Sequence, residues 1–114
     1  MQRGAIFHPM EIVHERGPSG SGKTTRLVES VRAAVAAGRS AGAIKHTHHA
    51  LNEERRGDTA RFLDAGARPV ILAGDGEAVV FDGATARRVA YSSLPDLLAL
   101  MSNDLVVVEG FKRQ

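Results

Sequence analysis

Apolar residues along this chain recur with two periods. From Lys23 to Ala37, the positions Leu27, Val28, Val31, Ala34 and Val35 are spaced three and four apart, which gathers them into one stripe of a helix. Gly38 follows where a left-handed closing residue is expected. Short apolar stretches elsewhere read as strands: Ala41 to Lys45, Pro69 to Ala73, Glu77 to Phe81 and Leu105 to Val108. The last is uninterrupted, as in a strand buried on both faces at the centre of a parallel sheet. The first strand, Met10 to Arg16, is thinner, because only Ile12 and Val13 are firmly apolar before His14, Glu15 and Arg16. Ala41 to Lys45 is expected to pair with it in parallel, forming a βαβ unit. Asp75-Gly76 and Asp82-Gly83 are turn dipeptides, so Glu77 to Phe81 should run antiparallel to the strand before it, with Arg87 to Tyr91 extending the hairpin. Asp58 is placed to cap a short helix through Phe62 and Leu63 to Gly66. Pro95 stands in the first turn of another, Leu94 to Met101. Alternating strands and helices with a largely parallel sheet define an α/β domain.

The segment joining the first strand to the first helix carries the chemistry. Gly17, Pro18, Ser19, Gly20, Ser21, Gly22, Lys23, Thr24 and Thr25 spell a complete phosphate-binding loop, G-x-x-x-x-G-K-[ST]. Its glycines let backbone N–H groups converge on a phosphate, and its lysine reaches the β- and γ-phosphates. Thr24 is the residue whose hydroxyl would hold Mg²⁺. The helix beginning here adds its positive dipole end and unpaired N–H groups to the same anion site. A nucleotide is the expected ligand.

Composition narrows the class further. With 114 residues the chain is read as one domain, 1–114, with a modest core. Hydrophobic residues make up 43% and charged residues 25%, and no apolar run approaches the roughly 20 residues of a membrane span. Residues 1 to 15 lack the apolar core of a signal peptide, so the cytoplasm is the expected compartment. The absence of cysteine excludes disulfides, thiol catalysis and thiolate metal sites. A net charge of +2 with 4% aromatic residues gives no nucleic-acid-binding face.

Three further clusters bear on the site. Asp104 and Glu109 bracket the apolar run of the last strand, about 16 Å apart at strand rise. Ligands of parallel sheets sit at the carboxyl ends of the strands, which selects Glu109 as the metal-side acid. Lys45, His46, Thr47, His48 and His49 lie at the same edge. That string admits anion or substrate contact, a metal site or a solvated loop. His8 and His14 read as incidental. In Arg56-Gly57-Asp58-Thr59-Ala60-Arg61, Asp58 fits either a helix start or a group that orients magnesium or water near the γ-phosphate, with Arg61 meeting charge.

Gly17 to Thr25, then Ala43-Ile44-Lys45-His46-Thr47-His48-His49, Asp58-Thr59-Ala60-Arg61 with Ala65-Gly66-Ala67, and Val108-Glu109-Gly110-Phe111-Lys112 together resemble the MobB family of molybdopterin-guanine dinucleotide biosynthesis adaptor proteins. The resemblance spans roughly Gly17 to Lys112. It implies a P-loop NTPase-type, three-layer fold with a mostly parallel central sheet and a small antiparallel hairpin. It also implies a GTP-binding accessory protein with at most weak GTPase activity, Mg²⁺ as cofactor and a homodimeric state. The implied partner is the guanylyltransferase MobA, which joins GMP to molybdopterin. On this resemblance Gly17 to Thr25 hold the phosphates, Thr24 and Glu109 serve the metal, and the Lys45 to His49 string lies close to the nucleotide or the pterin. Taken with the reading of the residues, Asp58 and Glu109 are the candidate catalytic acids, and Lys45, His46, His48, His49 and Arg61 are candidate substrate or anion contacts. The family continues beyond the Glu-Gly-Phe-Lys string, so the chain is expected to lack the carboxyl-terminal part of the family fold. An apolar edge left open after Lys112 would favour association through it. No Asn-Lys-x-Asp guanine-reading string is present. The alternative from another class is an ATP-dependent small-molecule kinase with Asp58 as base.

Overall fold

The computed structural model describes residues 9–17 and 22–111. The phosphate-loop residues Pro18, Ser19, Gly20 and Ser21 lie outside them, as do His8 and Lys112. The elements run β1 (Glu11–Glu15), α1 (Lys23–Ala36), β2 (Ala41–His46), α2 (Gly57–Asp64), β3 (Val70–Ala73), β4 (Glu77–Asp82), β5 (Thr85–Ala90), α3 (Leu94–Leu98) and β6 (Leu105–Glu109). They form one six-stranded sheet in the order β1-β6-β2-β3-β4-β5. The first four strands in that order are parallel, and β4 and β5 continue it as an antiparallel hairpin.

Strand order corrects one expectation. β1 and β2 do not pair, because β6 lies between them and bonds to both. Every residue of β6 is buried, so the run from Leu105 to Val108 takes the centre, where both faces are covered. β1 is left at the sheet edge with Ile12 46% exposed. An edge strand needs no continuous apolar run, which accounts for His14, Glu15 and Arg16. Neither described edge is apolar. On β1, Glu11 and Glu15 pair with Arg39 and Arg26, and on β5, Arg88 pairs with Glu53 and Glu77. Charged edges of this kind discourage strand-to-strand association.

Alternation along the strands sorts the core into two layers. Leu105 and Val107 of β6 join Ala41 and Ala43 of β2 against Leu27, Val28 and Val31 of α1 and Phe62 of α2. Val106 and Val108 join Ile44 and Ile71 against Leu94 and Leu97 of α3. Val35 departs from the predicted helical stripe, being 40% exposed just before the last residue of the helix. Both α1 and α2 close on a left-handed glycine, Gly38 (φ 81) and Gly66 (φ 106), with the backbone bonds of a Schellman motif, Arg39 to Ala34 and Ala67 to Phe62. α3 stops at Leu98, short of the predicted Met101. At its start the Asp96 carboxylate accepts from the Ser92 and Ser93 backbone N–H groups.

Candidate functional site

The same alternation decides which polar side chains meet. Glu109 shares its face of β6 with Leu105 and Val107, Lys45 shares its face of β2 with Ala41 and Ala43, and the parallel register sets Lys45 opposite Glu109. Both therefore point to the α1 and α2 side at the carboxyl edge of the sheet. α1 begins there at Lys23, directly after Gly22, and α2 brings Asp58 in its first turn. Thr24 Oγ1 donates to Glu109 Oε1 at 2.7 Å. Lys45 Nζ donates to Glu109 Oε2 at 3.1 Å and to Asp58 Oδ2 at 2.7 Å. Arg61 donates to Thr25 Oγ1 at 3.1 Å and also faces Asp58. Lys23 Nζ donates to the Gly17 carbonyl at 2.7 Å. These residues other than Gly17, together with Gly22, line a cavity of about 310 Å³.

Burial disfavours the charged forms of Lys45 and Asp58, but their contact reverses the outcome. Lys45 ends with its pKa raised, since the Asp58 hydrogen bond and the Glu109 charge outweigh desolvation. Asp58 ends with its pKa lowered, since the bond and charge of Lys45, helped by Arg61, outweigh desolvation. Asp58 is thus held as a carboxylate by Lys45 and does not serve as the expected N-cap. The residue at the cap is Arg56, with no side-chain cap bond. The oxygen donors present, a threonine hydroxyl beside a buried carboxylate, suit a hard cation such as Mg²⁺, which takes one or two carboxylates together with substrate phosphates.

The histidine string divides across the sheet. His46 follows Ile44 onto the α3 side, where its ring stacks on Phe111 at 4.8 Å between centroids and 27°. His48 meets His46 edge-on at 5.0 Å. His46 Nε2 lies 3.3 Å from Asp75 Oδ1. His49 is exposed, and its backbone N–H bonds Thr47 Oγ1. Among the described residues no three His, Cys, Asp or Glu side chains gather as a cation-holding group, so the metal alternative for this string lacks its third ligand there. Asp104, at the opposite end of β6, accepts from the Ser40 backbone N–H, tying strands rather than ligand. His14 is not incidental: its Nε2 lies 2.6 Å from the Gly110 carbonyl and fixes the turn after β6.

A second cavity of about 550 Å³ opens on the same edge. It is walled in part by Tyr91, Ser92 and Ser93, which precede α3, and by Phe111. Periodicity gives no sign of the first three, because they enter from the far end of the hairpin. Phe111 is marked only by its place in the Glu-Gly-Phe-Lys string.

Residues 12–114 match the model of a family described as molybdopterin guanine dinucleotide synthesis protein B, MobB. The chain belongs to the MobB family. A molybdopterin-guanine dinucleotide biosynthesis adapter protein of Haemophilus influenzae is 36% identical over 99 residues, covering 86% of this chain and 55% of its own length. The adapter protein of that name from Escherichia coli is 34% identical over 98 residues, covering 84% of this chain and 56% of its own. The chain thus spans about half the length of these MobB relatives. No solved structure matches it. No helix among the described residues is long and apolar enough to cross a membrane.

Proposed function

We propose that this MobB-family chain is a GTP-binding adaptor that assists a MobA-type guanylyltransferase in attaching GMP to molybdopterin, acting as a cytoplasmic homodimer. The observation that carries the nucleotide reading is the cluster at the start of α1. Thr24 bonds Glu109, and Lys45 stands against Glu109 and Asp58, next to the lysine and glycines of a phosphate-loop pattern. Thr24 and Glu109 are the residues that would hold Mg²⁺, whose charge, when bound, offsets that of the phosphate oxygens. Lys23 would bind the β- and γ-phosphates. GTP is proposed over ATP because the relatives' names specify a guanine dinucleotide.

Slow hydrolysis is part of the reading. A general base works best with a pKa near the working pH, whereas Lys45 holds Asp58 below the ordinary carboxylate range. The same fact weighs against the kinase alternative, which needs Asp58 to take a proton from an acceptor hydroxyl. Calorimetric titration of GTP and ATP, each with Mg²⁺, tests the proposal. Preferential binding of GTP that is lost in Lys23→Ala supports it. Equal binding by that variant overturns the phosphate-loop assignment, and preference for ATP with phosphoryl transfer to a small acceptor moves the function to the kinase.

A further inference from the structure

β1 parts from β6 at the mouth of the nucleotide site. Glu15 pairs with Glu109, and the residues after it, Arg16 and Gly17, turn away into the phosphate loop. Gly110 follows Glu109 with its backbone N–H still bonded to the Glu15 carbonyl at 3.0 Å. Its own carbonyl lies past the end of β1, and a carbonyl shielded from water without a donor is costly. The side chain of His14 supplies that donor, with Nε2 2.6 Å from the Gly110 oxygen.

The partners of the imidazole assign its two nitrogens. A carbonyl only accepts, so the proton lies on Nε2, and Nδ1 is left to accept from Arg16 Nη2 at 3.3 Å. His14 pairs in register with Val108, which sets its ring on the α3 side of the sheet. Glu109 points the other way, to Thr24 and Lys45. The end of β6 is therefore held from both sides of the sheet, by its backbone on one and by the Glu109 carboxylate on the other.

The turn that His14 bonds is strained. Gly110 stands at φ 97 and Phe111, which is not glycine, at φ 58, in the left-handed region that disfavours a side chain. A Cβ on Gly110 would come within 2.9 Å of the His46 Cβ, so the turn lies tight against β2. Rotating the peptide between Gly110 and Phe111 would relieve the strain, because that rotation changes the φ of Phe111. Burial of Phe111 and its stacking on His46 hold the ring. The bond from His14 holds the oxygen of the peptide itself.

We propose that His14 is a positioning residue for the nucleotide site: by pinning the Gly110–Phe111 peptide it keeps β6 ordered to its last residue, and so fixes the Glu109 carboxylate at Thr24. This rests on the reading of Thr24 and Glu109 as the Mg²⁺ side of that site.

The first test needs neither metal nor nucleotide. Nitrogen-15 NMR of the free chain at pH 8 should show His14 protonated at Nε2 alone, and the Nδ1 tautomer overturns the proposal. The second is calorimetric titration of a non-hydrolysable GTP analogue, with Mg²⁺ and with EDTA. His14→Ala, and His14→Phe, which keeps a ring without the donor, should each weaken binding with Mg²⁺ about fivefold, the worth of one hydrogen bond. Binding in EDTA should not change. His14→Gln, whose amide offers a donor of similar reach, should restore the affinity. Ile12→Ala lies on the same face of β1 and lowers stability without touching the turn, so it should bind as wild type does. In a Glu109→Gln background His14→Ala should cost nothing further, since its effect passes through that carboxylate. Thermal midpoints confirm that each variant is folded. Unchanged Mg²⁺-dependent affinity in the folded variants, equal losses with Mg²⁺ and with EDTA, or losses that add in the double variant each overturn the proposal. If the wild type does not bind the analogue, the nucleotide reading fails and this one falls with it. If the wild type binds and the His14 variants match it, this one falls alone.

Discussion

Lys45 donates to Asp58 and Glu109 from the end of β2, and both acceptors are shielded by the helices that bring Thr24 and Asp58 to the edge. Replacing Lys45 with alanine leaves the Glu109 carboxylate without this counter-charge and Asp58 with Arg61 alone. Removing one partner of a fully buried pair costs about 3–5 kcal/mol. Here Lys45 and Asp58 keep 23% and 32% of their side-chain surface in water, so a smaller loss of about 1–2 kcal/mol is expected from urea unfolding of Lys45→Ala. The pair also sets a pH window. Asp58 has its pKa lowered on folding, so its contribution is present above the unfolded value near 3.9 and is lost as pH falls through the lower folded value. Lys45 has its pKa raised, so its contribution is present below an unfolded value near 10.4 and is lost as pH rises through the higher folded value. The stability gap between wild type and Asp58→Asn should therefore stay level from about pH 5 to 9 and close below about pH 4. Chemical denaturation across that range measures it, and a gap that persists at the lowest pH removes the ion pair as its cause. Glu109, Thr24 and Lys45 were legible in sequence because motif and strand direction point to one edge, whereas the face they share came only with the register of β2 against β6. Tyr91 and Ser92 were not, since nothing local distinguishes a residue that reaches the site through the far end of a hairpin.

At the scale of elements, the sequence pattern carries strand identity well and strand order poorly. The helical stripe of α1, the turn dipeptides around β4 and the apolar run of β6 each mark an element with its own period. The insertion of β6 between β1 and β2 is a tertiary choice: the most uniformly apolar strand takes the position covered on both faces, and the strand with polar residues takes the edge. That division predicts unequal costs for truncation. Val107 is fully buried at the centre of the sheet, whereas Ile12 on β1 is 46% exposed. Val107→Ala should destabilise by about 2 kcal/mol and Ile12→Ala by about 0.5 kcal/mol. Denaturant midpoints for the two variants decide it. Equal losses would mean that β1 is covered in solution by something packed on its edge.

Across the whole molecule, two apolar layers back a single polar edge, and the groups that would meet a nucleotide come from β2, α1, α2 and β6 at once. A ligand bound there joins elements separated in sequence, so its binding energy appears in the stability of the entire fold. A ligand at a hundred times its dissociation constant adds about 2.7 kcal/mol to folding. For a chain near 100 residues, each kcal/mol moves the midpoint of thermal unfolding by about 4 °C or more. GTP with Mg²⁺ at that excess should therefore raise the midpoint by about 10 °C, and Lys23→Ala should show no rise at the same concentration. Glu109→Gln separates the metal from the phosphate: it keeps a side chain of the same length beside Thr24 but removes the charge. Its loss should fall on the Mg²⁺-dependent part of the shift, about tenfold in affinity for one charge-assisted contact. If Glu109→Gln retains the full magnesium dependence, the cation is held elsewhere, and Thr24 with Glu109 is a structural bond between α1 and β6.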